Sequence, residues 1–373
     1  MADLIDIEDN DSGLVARGKI NDSFDKVNGL VDASQLTLTN LKLSSNVSIG
    51  DIVTTSGYSV AGIGANTYEI VAGGTGTDDG GSFIDLPASG LQAKGLFPGG
   101  INIDQFGASH NDSSSDVTPI IKSAVIYAVT KSYQIILSGV DINTKVDVHL
   151  SPVTYYALTT GVYVNEFVRV NLKCISGTST LAGAEVSAPT VKNSMGFTFE
   201  RLFRNEFAGV NFSGFTQIMQ LKTANVDSAT IKFTNCEVND CGTELLPAID
   251  TVSYADSGST DICFENLRTS GTPFLIDSYV DTLRFIGGIQ RNGSSTRALV
   301  VADSEVTVDG GMWVPYVTGD DARWFDLYDS VVTGTRGLVV QGGARFSPES
   351  GGIPVVKNFM DGENVAGNHQ TNF

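Results

Sequence analysis

The sequence predicts an all-β chain, a single-stranded parallel β-helix preceded by a small β module and a short N-terminal helix. Three observations carry that expectation: a repeated strand-and-turn pattern, a composition poor in helix formers, and one apolar helical stripe placed where a solenoid needs a cap.

The repeat occurs six times between residues 210 and 342, as an aliphatic residue, any residue, a large apolar residue, any residue, then Gly or Asn. Its instances are Val210-Phe212-Gly214, Ile231-Phe233-Asn235, Ile262-Phe264-Asn266, Leu283-Phe285-Gly287, Val306-Val308-Gly310 and Leu338-Val340-Gly342. Apolar side chains two residues apart share one face of a strand, and Gly or Asn suits the left-handed residue of a turn. Successive starts lie 21 to 32 residues apart, the length of one solenoid coil. Stacked in register, the first and third positions point inward and the second and fourth outward.

Composition agrees. Gly 41 against Pro 10, with much Ser, Thr, Asn and Asp, suits short strands joined by many turns. A solenoid grows in one dimension, so 373 residues need not divide into several globular domains. The net charge of −19 argues against nucleic acid and anionic membranes, which call for clustered cations. No run of about 18 apolar residues is present, so no membrane insertion is expected. The acidic start Met1-Ala-Asp3-Leu-Ile-Asp6 is unlike a basic secretory leader, and synthesis in a cytoplasm is expected. Cys174, Cys236, Cys241 and Cys263 lack zinc-site spacing, and His110, His149 and His369 are scattered, so no metal and no cofactor is expected.

Along the chain, residues 1–34 form an N-terminal segment in which Ile20, Phe24, Val27 and Val31 make a narrow apolar seam on a short helix. Such a seam suits trimerisation with copies of itself; packing on its own domain is the alternative. Residues 35–100 read as a small β module of short strands and Gly-rich turns. The run 73–81 lacks the Gly-Lys-Ser/Thr of a phosphate loop and reads as a hairpin loop. From 101 to 345 the β-helix follows. Asp116 offers an N-cap, and Ile120, Ile121, Ala124, Val125 and Ala128 form a stripe on a capping helix over about 117–131. Residues 346–373 form a C-terminal extension too poor in apolar residues for a further domain.

Several of these segments resemble one family. Lys19-Ile20-Asn21 with Phe24 is similar to the entry helix near the start of bacteriophage tail fibres and tailspikes. Asp51-Ile-Val…Gly57-Tyr58…Gly62-Ile-Gly64…Tyr68-Glu-Ile70 is similar to the small module ahead of many tailspike β-helices. Ile103-Asp104-Gln-Phe106-Gly107-Ala108 with the helix after Asp116 resembles the opening signature of pectate-lyase-like right-handed parallel β-helices. The usual Asp-Gly and doubled Asp are replaced by Asn111-Asp112-Ser-Ser-Ser-Asp116, and Gln134–Gly139 takes the place of the family's first strand without its proline. The resemblance spans about residues 11–345. It implies a right-handed coil, structural roles for Asp104, Phe106 and Gly107, and a homotrimeric tailspike of the phage virion. It also implies attachment to other tail proteins through the N-terminus and recognition of a host surface polysaccharide. No catalytic residue transfers from the motif.

Candidate chemistry comes from the outward positions. Glu265 and Asp309 fall on one outward column two rungs apart, about 9.6 Å at the usual strand spacing, near the limit for an inverting glycosidase. The alternative is a diagonal ion pair between Glu265 and Arg284. In Arg323-Trp324-Phe325-Asp326-Leu327-Tyr328, alternation places Trp324, Asp326 and Tyr328 outside, two aromatic faces around a carboxylate, a combination suited to sugar rings and hydroxyls. Trp313, Tyr316, Asp320 and Asp321 lie just upstream and complete the candidate carbohydrate site; covering the end of the rod or filling a trimer interface is the alternative. Asp250, Asp277 and Asp281 read as turn formers. Three functions stay open: a polysaccharide-binding tailspike, a depolymerase using Glu265, Asp309 or Asp326, and a structural adaptor carrying another fibre.

Overall fold

The structure is a computed structural model that describes residues 17–21, 36–138 and, from 145 to 357, the strands with many of their connecting turns; side chains are described as far as Ile289. Two compact units divide the chain, Met1–Ala108 and Ser109–Phe373.

In the first unit, residues 17–21 are helical and Ile20 is 41% exposed; Phe24, Val27 and Val31 lie outside the described residues. A short helix α1 (Leu38–Leu41) precedes strands β1 (Ile52–Thr54), β2 (Thr67–Ala72), β3 (Phe83–Leu86) and β4 (Leu91–Gly95), which form an antiparallel sheet in the order β1-β2-β4-β3. Leu38, Leu41, Val53, Tyr68, Ile70, Ile84, Leu86 and Ala93 fill its core. The 73–81 run is not a hairpin loop, because β2 and β3 both pair with β4 and not with each other. Its Asp79 carboxylate instead folds the turn, accepting from the amides of Gly81 (2.9 Å) and Ser82 (2.7 Å). Strand β5 (Ile101–Asn102) leads into a 3₁₀ turn, Ile103–Phe106, closed by Gly107 at φ 94°. Here Asp104 is buried and Phe106 stacks on Phe97 with centroids 5.6 Å apart, consistent with structural roles for the Asp104-Phe106-Gly107 motif.

The second unit opens with α2 (Thr118–Leu137); Val117 just ahead of it and Ile121, Ala124, Val125, Ala128 and Val129 within it are buried. The Asp116 carboxylate accepts from the Thr118 amide at 2.9 Å. The helix packs on β6 (Val146–Leu150), β8 (Val162–Val168) and β9 (Val170–Cys174), strands of the first two coils, as an end cap should. It runs past 131, so Gln134–Leu137 is helix and not the first strand. The physical reason is local: no Gly or Pro interrupts the segment before Gly139, and Ser132 is fully buried with its hydroxyl donating to the Val129 carbonyl at 2.9 Å. Helical context overrides the β preference of Ile135 and Ile136.

The coils then wind through three parallel sheets in strict rotation, every third strand returning to the same face. β6 and β9 belong to the first face, β7 (Thr154–Ala157) and β10 (Ser179–Gly183) to the second, β8 and β11 (Met195–Phe203) to the third. On the first face the register aligns Asn205, Ile231, Ile262, Leu283, Val306 and Val332. Two residues further along, Phe207, Phe233, Phe264 and Phe285 form an interior stack with centroids 5.2, 5.0 and 4.9 Å apart.

The six sequence repeats are therefore not one column. The four beginning at Ile231, Ile262, Leu283 and Val306 share the first face, whereas Val210 opens a strand of the second face and Val339–Val340 also lies there. Both of these faces end at a corner held by a left-handed residue, so the same pattern arises on each of the two. Gly214, Asn235, Asn266 and Gly287 all have positive φ.

The cysteines are structural. Cys236 and Cys241 are fully buried, their thiols donating to the carbonyls of Phe207 (3.3 Å) and Phe212 (3.4 Å), and burial pushes the Cys236 thiol up to about 12. Cys174 and Cys263 are half-buried. Iodoacetamide at pH 8 is expected to label Cys174 and Cys263 in the native protein and spare Cys236 and Cys241 until denaturant is added, as peptide mass mapping would reveal.

Candidate functional site

The outward side of the first face carries a self-satisfied ladder of opposite charges. Asp147 accepts from Asn171 at 2.6 Å, Lys173 lies 3.5 Å from Asp147 and 3.4 Å from Glu206, and Thr234 donates to Glu206 at 2.8 Å. Lys232 then pairs with Glu265, and the hydrogen bond to that carboxylate is the main cause of a raised lysine pKa. Glu265 thus pairs with Lys232 and not with Arg284. Both partners are more than a third exposed, so Lys232→Met is expected to change stability by less than about 1 kcal/mol in thermal unfolding.

Beside this ladder, at the corner between the first and second faces, the chain leaves a groove of about 500 Å³. Asn235, Glu237, Asn266 and Arg268 supply most of its polar groups, with Thr178, Cys236, Gly288 and Ile289 completing the lining. Asn266 donates its amide to the Asn235 carbonyl oxygen at 3.2 Å, an asparagine ladder across two coils. Glu237 and Arg268 stand on adjacent rungs of the second face, yet among the described residues they form no ion pair with each other. Among the described residues the Glu237 carboxylate receives a long contact from Asn239 at 3.4 Å, and Arg268 is exposed. An amide pair, a carboxylate and a guanidinium around one cleft supply both donors and acceptors, including the planar guanidinium fork. The volume lies in the range of small-ligand sites.

Gly288 lines the groove at a close approach of two coils. At φ 87° a side chain there would run into the Leu267 backbone, whose carbonyl accepts from the Ile289 amide at 3.0 Å.

The residues proposed from sequence are spread over the rod. Glu265, Ile286 and Asp309 follow one another in register, so Glu265 and Asp309 do share a column two rungs apart. Asp326 aligns with Val300 and Asp277, on the third-face column that also holds Asp250 and Gln220. Asp250 and Asp277 are thus strand residues on adjacent rungs and not turn formers, and Gln220 donates to Asp250 at 3.4 Å. Phe325 takes the register position of buried Ile276, Ile249 and Met219, leaving Trp324, Asp326 and Tyr328 on the alternate positions. Trp313 aligns with Gln290 and, through it, with buried Thr269 and Val238, on a different face from Trp324. The two tryptophans therefore do not share a face of the coil. The side chains of Asp309, Trp313, Trp324, Asp326 and Tyr328, and Tyr316, Asp320 and Asp321 altogether, lie outside the described residues. Sequence reasoning saw Asn235 and Asn266 only as turn residues; their recurrence at one corner was the available signal for the groove.

No protein-family model and no curated protein matches the sequence. Solved structures do. Pantoea stewartii WceF, a glycan biofilm modifying enzyme with a bacteriophage tailspike-like parallel β-helix fold, aligns with a TM-score of 0.52 at 12% identity, over 86% of this chain and 50% of that one. This chain has the tailspike-like parallel β-helix fold. Tailspike protein 2 of Escherichia coli O157:H7 bacteriophage CAB120 aligns at a TM-score of 0.44 and 12% identity, over 90% of this chain and 50% of its own. Tailspike gp49 of Acinetobacter baumannii bacteriophage Fri1, a capsular polysaccharide depolymerase, aligns at 0.45 and 13% identity, over 86% and 74%. The tailspike-like chain described here spans half the length of the first two of these structures.

Proposed function

We propose that this chain is a tail protein of a phage virion, a tailspike that recognises a host cell-surface polysaccharide and attaches to the tail through its N-terminal segment. The observation that carries the reading is the groove of Asn235, Glu237, Asn266 and Arg268, a polar, ligand-sized cleft built on rigid corners of a tailspike-like fold. Sugar hydroxyls both donate and accept, and these four side chains meet both needs. Assembly as a homotrimer through Ile20, Phe24, Val27 and Val31 belongs to the same proposal; light scattering on the full chain tests it, with a trimer mass expected and a monomer excluding it.

Incubation with polysaccharide extracted from host cells, followed by measurement of retention and fragment size, tests the main reading. Retention of intact polysaccharide is expected, with Arg268→Ala weakening it about tenfold, the effect of losing one charged hydrogen bond. Absence of retention would sink the proposal. Cleavage is the second reading, favoured by the register that sets Asp250 and Asp277 on adjacent third-face rungs, since glycoside hydrolysis calls for a pair of carboxylic residues. Under it, fragments accumulate with the native protein and not with Asp277→Asn.

A further inference from the structure

At the third corner of the coil, where the chain enters the first face, the left-handed positions are filled by arginine. Arg169 and Arg204 both have φ 55°. At the corner between the first and second faces the same kind of slot holds Gly209, Asn235, Asn266 and Gly287, residues that tolerate that backbone far better. Selection for backbone comfort alone would not place arginine there twice.

The two arginines sit one coil apart. The Arg169 amide donates to the Phe203 carbonyl at 2.8 Å, and the Val146 amide donates to the Arg169 carbonyl at 2.8 Å. Lys145 precedes Val146 as Arg169 precedes Val170, and Val146 pairs with Val170, so three cations occupy one column over three successive coils. At strand spacing they recur about every 4.8 Å. Both guanidiniums lie over the Phe203 ring, each 5.2 Å from its centroid. The Nε and Nη1 of Arg169 are buried and find no hydrogen-bond acceptor among the described residues. Leaving charged donors dehydrated without an acceptor is costly.

Neighbouring carboxylates on the first face do not supply the missing acceptor. Asp147 is engaged by Asn171 and Lys173, and Glu206 by Lys173 and Thr234. Further along the same column the sign reverses, with Asp261 and Glu305 in register through Thr282. The cationic end is therefore local, in a chain whose net charge is −19.

We infer that Lys145, Arg169 and Arg204 form a binding site for an oxyanion, a carboxylate or phosphate seated on the two guanidiniums that share the Phe203 ring. A guanidinium presents parallel N–H groups that match two oxygens of such a group, and the phenyl ring holds both forks in place. The oxyanion belongs either to an acidic glycan or to free phosphate. Only the glycan source leans on the polysaccharide reading above; the site itself stands without it.

Calorimetric titration of the full chain with tetragalacturonate, inorganic phosphate and neutral maltotetraose tests the inference. At least one anion should bind at least tenfold more tightly than maltotetraose, and raising salt from about 50 to about 500 mM should weaken it. Tetragalacturonate alone assigns the site to an acidic glycan; phosphate alone assigns it to the free ion. Arg204→Gly and Arg169→Gly remove the guanidinium while relaxing the backbone, so each should bind the anion about tenfold more weakly and unfold at no lower temperature than the native chain. The inference fails if neither anion binds, if maltotetraose binds as well as the anions, or if both glycine variants keep native anion affinity.

Discussion

Phe264→Ala is expected to lower the unfolding free energy by about 3–5 kcal/mol in a guanidinium titration, the largest effect of any single truncation proposed for this chain. Phe264 is 1% exposed and stacks between Phe233 at 5.0 Å and Phe285 at 4.9 Å, so its removal opens a cavity and breaks two ring contacts at once. The β-strands above and below are hydrogen-bonded in register and cannot close the gap by collapsing along the axis. Ile286→Ala on the outward side, where the side chain is 38% exposed, serves as the control and should cost well under that amount. A loss below about 1.5 kcal/mol for Phe264→Ala would mean that the stack is not what holds these coils together.

Gly288→Ala should cost about 2–4 kcal/mol, the sum of a left-handed backbone penalty and overpacking. Its added methyl meets the Leu267 backbone, and the Ile289 to Leu267 hydrogen bond of 3.0 Å lies in the same contact. Gly214→Ala separates the two contributions. It also sits at positive φ, 72°, but nothing lies within 4 Å of the added methyl, so only the backbone penalty of about 1–2 kcal/mol remains. Equal losses for the two variants, measured by thermal unfolding, would contradict the close approach at the groove.

The interior of the rod was legible because its signal is local. Ile231, Phe233, Ile262, Phe264, Leu283 and Phe285 are all buried as their alternation requires, and each strand reports its own inward side without reference to any other. Which strands stack on which was not legible in the same way. Val210-Phe212-Gly214 satisfies the repeat as well as Ile231-Phe233-Asn235, yet its true neighbour in register is the strand of Glu237 and Val238. Loop lengths between corners decide that, and Gly or Asn looks alike at the corners that close the first and second faces.

The candidate sites show the same limit. Glu237 and Arg268 are neighbours only because the intervening chain makes one full circuit, and nothing in either residue's local sequence announces it. The diagonal pairing expected for Glu265 with Arg284 lost to Lys232 on the preceding rung, and alternation along a strand cannot say which of two flanking cations a carboxylate will take. Trp313 and Trp324, close in sequence, were separated by the corner between them. The arginine corner was hidden for a different reason: residues 169 and 204 carry no motif, and only their shared backbone conformation and shared ring bring them out.

The strict three-face rotation turns the rod into a ruler. An insertion equal to one whole coil between the capping helix and Asn235 would slide the groove one rung further from the cap while leaving its bearing around the axis unchanged. An insertion of one third of a coil would instead carry the groove to a different side. Length changes in such a chain are thus sorted by geometry into translations, which preserve the surface it presents, and rotations, which replace it.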